Sequence, residues 1–257
     1  MTSDDRAGAG VRFDVDGPVA TVTLARPEVL NAQTPRLWLA LRDFGRQLPG
    51  DVRAVVLRGE GRSFSAGIDL REVSAPDGGF AELVGMPEDE ALATIATYQE
   101  AFSWLRRPDL LSVAAVRGHA VGAGFQLALA CDLRVLTEDA ALTMAEVSLG
   151  LVPDLGGTKR LVELVGYARA LEICVTGRRV YADEAVRLGL ANLVVPDAEL
   201  DGAVRDLTAA VLAANRDAVV EIKALLLAAA GRDFPAQERA EREAQLRRLR
   251  DLAGLGE

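Results

Sequence analysis

Two short turns constrain this chain more than any other feature, because each follows an apolar strand and leads into a helix. The first strand ends in Arg58-Gly59 and the second in Arg117-Gly118, and small residues follow each pair closely. Small residues let the backbone approach a ligand, and a helix start offers free N–H groups. Two such turns side by side could direct two N–H groups at one oxygen, which is the arrangement of an oxyanion hole.

Composition limits the class of protein. A chain of 257 residues, half of them hydrophobic, has room for one large domain or two small ones. Its net charge of −9 argues against a general nucleic-acid or anionic-membrane surface. No apolar region follows the acidic N-terminus, and the longest apolar stretch, 120–130, is too short and too interrupted to span a bilayer. We therefore expect a cytoplasmic protein.

The sequence offers little for a metal or a redox cofactor. Cys131 and Cys174 lie in apolar stretches and lack the spacing of a metal site, so we expect two buried thiols. The glycines of 118–124 do not fit the dinucleotide-binding pattern, and no phosphate-binding loop with its lysine is present. We expect no metal and no redox cofactor.

Strands and helices alternate through most of the chain, which predicts an α/β core, and only helices are expected from residue 200 on. We predict a disordered segment over 1–10, an α/β core over 11–199 with a loop at 75–88, and a helical region over 200–257. The predicted strands are 11–15, 19–24, 54–57, 113–116, 133–136 and 192–195, and the predicted helices are 35–48, 91–105, 122–131, 156–165 and 168–175.

Five stretches together resemble one family. They are 26–32, 64–70, 118–124, 130–132 and 146–158, and they occur in that family's order and spacing. The chain resembles the crotonase family, also called the enoyl-CoA hydratase/isomerase superfamily, over about residues 11–230. The resemblance implies a spiral of ββα repeats with a helical C-terminal region, assembled as a homotrimer or hexamer. It also implies an acyl-CoA substrate, in which coenzyme A belongs to the substrate and no other cofactor is needed.

The resemblance places the oxyanion-hole N–H groups at Ile68 and Ala123. Polarising a thioester carbonyl there would acidify the neighbouring carbon and stabilise an enolate. The alternative is that the glycines of both turns serve close packing only. Further substrate-binding positions follow by matching: the Ala66 carbonyl for an adenine amine, Gly67 and Gly122 in the turns, Asp69 near the ligand or as a helix cap, and Val29, Leu30 and Leu70 as pocket wall.

Glu146 matches the glutamate that relatives use as a base or proton shuttle. Its neighbours in sequence are apolar, so a raised carboxyl pKa is expected, which suits proton transfer. The alternative is a solvated glutamate at the end of a helix or strand. Gln126 stands where hydratases of the family carry a second glutamate. An amide can position water but cannot take its proton, so hydration by the two-carboxylate route is in doubt.

Asp154 matches a catalytic-site aspartate of the family's dienoyl-CoA isomerases. The alternative is that it caps the helix that begins near Gly156, a role aspartate fills well. Three functions remain open. The first is double-bond isomerisation of an enoyl-CoA with Glu146 as the proton shuttle and Asp154 assisting. The second is hydration of a 2-enoyl-CoA with Gln126 positioning the water. The third is acyl-CoA binding with little catalysis.

Overall fold

The computed structural model describes residues 8–74 and 79–255, in which strands and helices alternate up to residue 195. The strands are β1 (Val11–Asp16), β2 (Val19–Leu24), β3 (Ala54–Gly59), β4 (Leu111–Val116), β5 (His119–Val121), β6 (Leu133–Thr137), β7 (Ala141–Thr143), β8 (Arg179–Tyr181) and β9 (Leu193–Val195). The helices up to the last strand are α1 (Pro35–Gln47), α2 (Leu70–Ser74), α3 (Gly79–Gly85), α4 (Glu88–Ser103), α5 (Ala123–Ala130), α6 (Gly157–Val165), α7 (Tyr167–Thr176) and α8 (Ala182–Arg187).

Beyond the last strand the described chain is helical. It forms α9 (Leu200–Ala213), α10 (Arg216–Ala229) and α11 (Phe234–Leu252), and short 3₁₀ helices occur at Pro27–Val29, Trp104–Arg106, Glu146–Leu149 and Asp197–Glu199. No described helix is both long and apolar enough to cross a membrane.

Two sheets form within the described residues. The larger has the order β1-β2-β3-β4-β6-β9, with β1 antiparallel to β2 and the other neighbours parallel. The smaller has the order β5-β7-β8. The Arg117-Gly118 turn carries the chain from β4 into β5, and so from one sheet to the other. Gly118 has a φ of +58°, and a Cβ there would lie 2.2 Å from the Arg62 carbonyl oxygen, so this turn needs glycine.

The first long helix shows how local sequence and burial agree. The Thr34 hydroxyl accepts a hydrogen bond from the Leu37 N–H, and Pro35 occupies the first helical position, so α1 begins where the sequence predicts. Its apolar face is buried in the main core, where Phe44 stacks on Phe13 of β1 with ring centroids 4.2 Å apart. That face also places Trp38 next to α4, which helps to form the cavity described below.

The C-terminal helices are packed against the α/β layer. Leu200 and Val204 of α9 are buried with apolar residues of β3, β4 and β6 in a second hydrophobic cluster. From α10, the Lys223 ammonium donates to the Leu110 carbonyl and to the Asp132 carboxylate, each at 2.6 Å. The helical region therefore completes the core on the other face of the sheet.

The sequence predicts the long elements and misses the short ones. An α/β core followed by a helical C-terminal region is confirmed. The loop predicted over 75–88 is wrong where α3 forms, and 75–78 lie outside the described residues. In the segment 1–10, predicted as disordered, residues 8–10 form a turn with Ala9 buried, and 1–7 lie outside the description. Cys131 is buried as expected, whereas Cys174 is only half-buried.

Candidate active site

The two glycine-containing turns lie directly against each other. The Ser65 N–H donates to the His119 carbonyl at 3.0 Å, and the Val121 N–H donates to the Ser65 carbonyl at 3.0 Å. Gly67, with a φ of +86°, sits so close to the second turn that a Cβ would lie 2.5 Å from the Val121 oxygen and 3.6 Å from the Ala123 nitrogen. The predicted juxtaposition of the two turns is thus present.

Both predicted oxyanion-hole N–H groups are left available by this geometry. Gln33 bonds to the residues on either side of Ile68, through the Gly67 carbonyl and the Asp69 N–H, so the Ile68 N–H points away from that pairing. Ala123 is the first residue of α5 and has no acceptor one turn earlier in that helix. Within the described chain, neither N–H donates a hydrogen bond, and both residues line the same cavity.

That cavity has a volume of about 460 Å³ and mostly apolar walls. One end is formed by the two turns, and the rest by side chains from α1, α3, α4 and the segment 145–155. The turn residues Ala66, Gly67, Ile68, Leu70, Gly122 and Ala123 line it, together with Gln126, Glu146 and Asp154. The apolar wall includes Trp38, Phe80, Leu83, Ile95, Tyr98, Leu149, Leu151 and Val152. Sequence patterns did not identify this aromatic and aliphatic wall, because its members come from distant parts of the chain.

Glu146 lines the cavity, and one of its carboxylate oxygens has no hydrogen-bond partner in the described chain. The residue is 8% exposed, at the start of the 3₁₀ helix Glu146–Leu149. Its Oε1 accepts from the Gln126 side-chain amide at 2.6 Å, whereas Oε2 is buried and has no hydrogen-bond partner in the described structure. A Cβ built on Gly122 would lie 3.4 Å from Oε1, so the carboxylate also lies beside the second turn. The alternative of a solvated glutamate is therefore wrong.

Gln126 uses both ends of its amide. Its nitrogen donates to Glu146, and its carbonyl oxygen accepts from the Leu155 N–H at 2.9 Å and the Gly157 N–H at 3.2 Å. A Cβ on Gly157 would lie 2.6 Å from the Gln126 Cγ, which explains the glycine there. Gln126 is 1% exposed, so its carbonyl is not available to bind a water molecule in addition to these donors.

Asp154 faces the cavity from the segment that leads into α6. The Gln99 side chain of α4 donates to its backbone carbonyl at 2.6 Å. The prediction that Asp154 caps α6 is wrong: that helix begins at Gly157, and Gly156 precedes it without a side-chain cap. Asp154 lines the cavity and is also exposed to solvent, and Gly156 separates it from the start of the helix.

The site raises the pKa of both carboxyl groups. For Glu146 the main cause is desolvation by burial, opposed by hydrogen bonds from its own backbone and from Gln126, and reinforced by the negative charge of Asp154. Partial desolvation likewise raises the pKa of Asp154, although this residue is more exposed to solvent than Glu146. A carboxyl with a raised pKa exchanges a proton more readily near neutral pH.

Three predicted binding residues lie outside the cavity wall. Val29 and Leu30 do not line it, although the Leu30 carbonyl accepts from the Ala66 N–H at 2.8 Å and so holds the first turn. Asp69 pairs with the guanidinium groups of Arg26 and Arg71, each at 2.9 Å. Hydrogen bonds, first from Arg71, hold the pKa of Asp69 well below its usual range. Its Oδ1 accepts from the Arg71 N–H, as the predicted helix cap should.

Neither the cysteines nor the acidic side chains form a metal centre in the described parts of the chain. No group of three or more His, Cys, Asp or Glu side chains there could hold a metal ion. The arrangement instead combines two backbone donors, one buried carboxylate and an apolar cavity. These are the parts required to bind a carbonyl compound, stabilise negative charge on its oxygen and move a proton nearby.

Fold and site thus define an α/β protein in which two free backbone N–H groups and a buried carboxylate line one apolar cavity. A family model described as enoyl-CoA hydratase/isomerase matches residues 14–250. The chain belongs to this family, the crotonase family predicted from its motifs, and it has the crotonase fold.

Solved structures and curated relatives agree with this membership. A Thermobifida fusca protein assigned as an enoyl-CoA hydratase, solved with acetoacetyl-CoA, is 50% identical with a TM-score of 0.93, covering 97% of this chain and 98% of that one. The short-chain-enoyl-CoA hydratase of Clostridium acetobutylicum is 35% identical over 74% of this chain and 70% of its own length. The 4-chlorobenzoyl coenzyme A dehalogenase-2 of an Arthrobacter species is 37% identical over 76% and 70%.

Proposed function

We propose that this protein moves a double bond within an enoyl-CoA thioester, with Glu146 as the proton shuttle. The observation that carries the proposal is the buried carboxylate of Glu146, whose Oε2 has no hydrogen-bond partner among the described residues. Glu146 lines the same cavity as Ile68 and Ala123, whose N–H groups donate no hydrogen bond within the described chain. An unpartnered buried carboxylate oxygen costs stability unless a ligand or a reaction uses it.

The proposed reaction needs one base. Ile68 and Ala123 donate to the thioester oxygen of a 3-enoyl-CoA, which makes the C2 proton more acidic. The Glu146 carboxylate removes that proton, and the electron pair of the C2–H bond delocalises over the thioester oxygen and the C3–C4 double bond. Glu146 then returns the proton to C4, the thioester carbonyl re-forms, and the double bond lies between C2 and C3. No oxidant, reductant or further cofactor enters this balance.

An acyl-CoA substrate is supported by the similar Thermobifida fusca protein, which was solved with acetoacetyl-CoA and also with CoA. The apolar cavity wall favours an acyl group without charges, because a polar tail would lose its hydration against these side chains. The trimeric or hexameric assembly and the cytoplasmic location stay predictions from the sequence.

Hydration of a 2-enoyl-CoA is the second candidate, and one observation favours it. Asp154 gives the cavity a second carboxylate besides Glu146, so two carboxylates could act on one water molecule. Gln126 is less suited to this task than the sequence suggested, because its carbonyl already accepts two backbone N–H groups. Only its remaining amide N–H could hold water.

Proton NMR in deuterated water separates these reactions. We expect 3-enoyl-CoA to become 2-enoyl-CoA, with deuterium entering at C2 or C4 as Glu146 exchanges its proton with solvent. A 3-hydroxyacyl-CoA product from 2-enoyl-CoA, without migration of the double bond, would instead establish hydration. Tight acyl-CoA binding with no turnover on 2-enoyl-, 3-enoyl- and dienoyl-CoA would contradict both reactions and leave the third alternative, an acyl-CoA-binding protein.

A further inference from the structure

We infer that Gln126 is a positioning residue for proton transfer, which holds Glu146 by one oxygen and the Asp154 segment by two N–H groups. The inference rests on the proposed function, since it assigns Glu146 the proton. It differs from a role in holding water, because the interactions of Gln126 within the protein are sufficient to explain its place.

The orientation of the Gln126 amide follows from its partners. Leu155 and Gly157 both present backbone N–H groups to one end of the side chain, and only a carbonyl oxygen can accept them. The amide nitrogen must then face Glu146, where it donates at 2.6 Å. A glutamate in place of Gln126 would bring two carboxylates together, and the pair would retain a proton.

The consequence for Glu146 is that its two oxygens become unequal. Oε1 is bound to Gln126, and Oε2 has no hydrogen-bond partner among the described residues. A carboxylate fixed in this way removes and returns a proton through one oxygen, so C2 and C4 must present the same face of the substrate to it. Double-bond migration needs such a transfer on one face, whereas hydration needs a second group to deliver water.

Gln126 also connects the two carboxylates of the cavity. By binding Leu155 and Gly157, it holds the backbone on both sides of Gly156, directly after Asp154. The Gln99 side chain of α4 donates to the Asp154 carbonyl at 2.6 Å and so holds the same segment from a second helix. Asp154 raises the pKa of Glu146 through its charge, so its distance from Glu146 affects the proton transfer. One side chain therefore sets both the orientation and the electrostatic surroundings of the proposed base.

The test compares two substitutions at this position. Gln126→Met removes both sets of hydrogen bonds at similar size, and Gln126→Glu keeps an acceptor for Leu155 and Gly157 while replacing the donor to Glu146. We expect kcat for 3-enoyl-CoA isomerisation to fall about 10- to 100-fold in Gln126→Met, with a much smaller change in KM. The free energy of a hydrogen bond to a charged group corresponds to a change in rate of about this size.

The pH profile distinguishes positioning of the base from a merely structural role. The groups that act on Glu146 are the Gln126 amide from α5, its own backbone, Asp154 from the segment before α6 and Cys174 from α7. Losing the Gln126 donor removes a bond that favours the charged carboxylate, so the acid limb of kcat should move to higher pH. In Gln126→Glu, the second carboxylate should also move the acid limb of kcat to higher pH. The melting temperature of this variant should be closer to wild type than that of Gln126→Met.

Thr208→Val is the matched control. Thr208 is also buried, lies on α9 and does not line the cavity, and its hydroxyl donates to the Val204 carbonyl. This variant should lower the melting temperature without moving the pH profile. An unmoved acid limb in both Gln126 variants overturns the inference, whatever their kcat. If Gln126→Met does not fold, the position of the acid limb of kcat in Gln126→Glu alone tests the inference.

Failure of the inference and failure of the proposed function give different results. Should Glu146→Gln retain wild-type turnover, Glu146 is not the proton shuttle and the proposed function fails. Should Glu146→Gln be inactive while both Gln126 variants keep the wild-type kcat and pH profile, the shuttle stands and only the role of Gln126 is lost.

Discussion

Two enclosed carboxylates of this protein, Asp132 and Glu146, have opposite surroundings. Asp132 Oδ2 accepts from the Ser112 N–H at 2.8 Å, from the Ser112 hydroxyl at 3.0 Å and from the Lys223 ammonium at 2.6 Å. Glu146 has a neutral donor on one oxygen and nothing on the other within the described chain. One carboxylate has three donor contacts, one of them from a cation, and the other has a single neutral donor.

Under the proposed function, this difference separates a structural acid from a catalytic acid. Burial by itself raises the energy of a charge, and compensation by a cation and several donors makes the group part of the scaffold. Asp132 and Lys223 connect the loop before β6 to α10 in this way. Glu146 keeps an oxygen without a donor among the described residues and lines the same cavity as Ile68 and Ala123. Under the proposed function, this carboxylate is the group that transfers the proton.

The largest effect should come from Glu146→Gln. We expect kcat for isomerisation to fall about 10²- to 10⁴-fold, because an amide cannot carry the proton. At alkaline pH the free energy of unfolding of this variant should be higher than that of the wild type. The folded pKa is raised, so ionised Glu146 costs stability once pH passes through that pKa, and the amide removes this cost. Thermal unfolding at pH 5 and 8 and initial rates measure both effects.

Glu163→Gln is the control for this change. Glu163 lies on α6, pairs with Lys159 at 3.3 Å and does not line the cavity. It should keep wild-type rates. A Glu146→Gln enzyme as fast as this control would remove the distinction between the two kinds of carboxylate.

Lys223→Met tests the structural role of the ion pair between Lys223 and Asp132. Removing the cation leaves Asp132 enclosed with only the Ser112 donors, and breaking such a pair costs about 3 kcal/mol. We expect the free energy of unfolding to fall by about that amount, with kcat and KM unchanged, because Lys223 does not line the cavity. Urea denaturation measures the loss, and Lys223→Met with Asp132→Asn should recover part of it. An unchanged unfolding midpoint would show that the pair is not structural.

The next effect concerns the free N–H groups of Ile68 and Ala123. Gly67→Ala introduces a Cβ 2.5 Å from the Val121 carbonyl oxygen at a φ of +86°, so the two turns must separate. We expect kcat/KM to fall about tenfold or more, since a lost oxyanion donor costs about 10²-fold or more in kcat. Gly166→Ala is the matched control. Its φ is +77° and its Cβ meets nothing within 4 Å, so it should lower the melting temperature with little effect on kcat/KM.

Much of the fold was predictable because long elements carry their own periodicity. The helix α1 has a cap, a proline and an apolar face, whereas β5, β7 and β8 are three residues each, too short to show alternation. The helix α3 was missed because glycine, proline and aspartate dominate the surrounding sequence. Among these missed elements, α3 contributes Phe80 and Leu83 to the cavity wall and β5 contributes Val121. The sequence therefore predicted the two turns better than the cavity beside them.

The candidate site was predictable residue by residue, but not as a set of contacts. Motifs indicated Glu146, Gln126 and Asp154 separately. That Gln126 binds Glu146 across 20 positions, and Leu155 across 29, depends on how α5 packs against the segment before α6. Hydrogen bonds between distant positions leave no periodic signal in the sequence. For this reason the sequence suggested that the Gln126 amide positions water, whereas in the structure it binds other residues of the protein.

The smallest predicted effect separates Asp154 from Glu146. In Asp154→Asn the charge that raises the pKa of Glu146 is removed, so the acid limb of kcat should move to lower pH, opposite to the Gln126 variants. We expect kcat at neutral pH to change less than about tenfold, because Glu146 still carries the proton. Asp183→Asn on α8, where Asp183 pairs with Arg187, should leave the profile unmoved. Complete loss of activity in Asp154→Asn would instead mean that both cavity carboxylates take part in proton transfer, as the two-carboxylate hydration route requires.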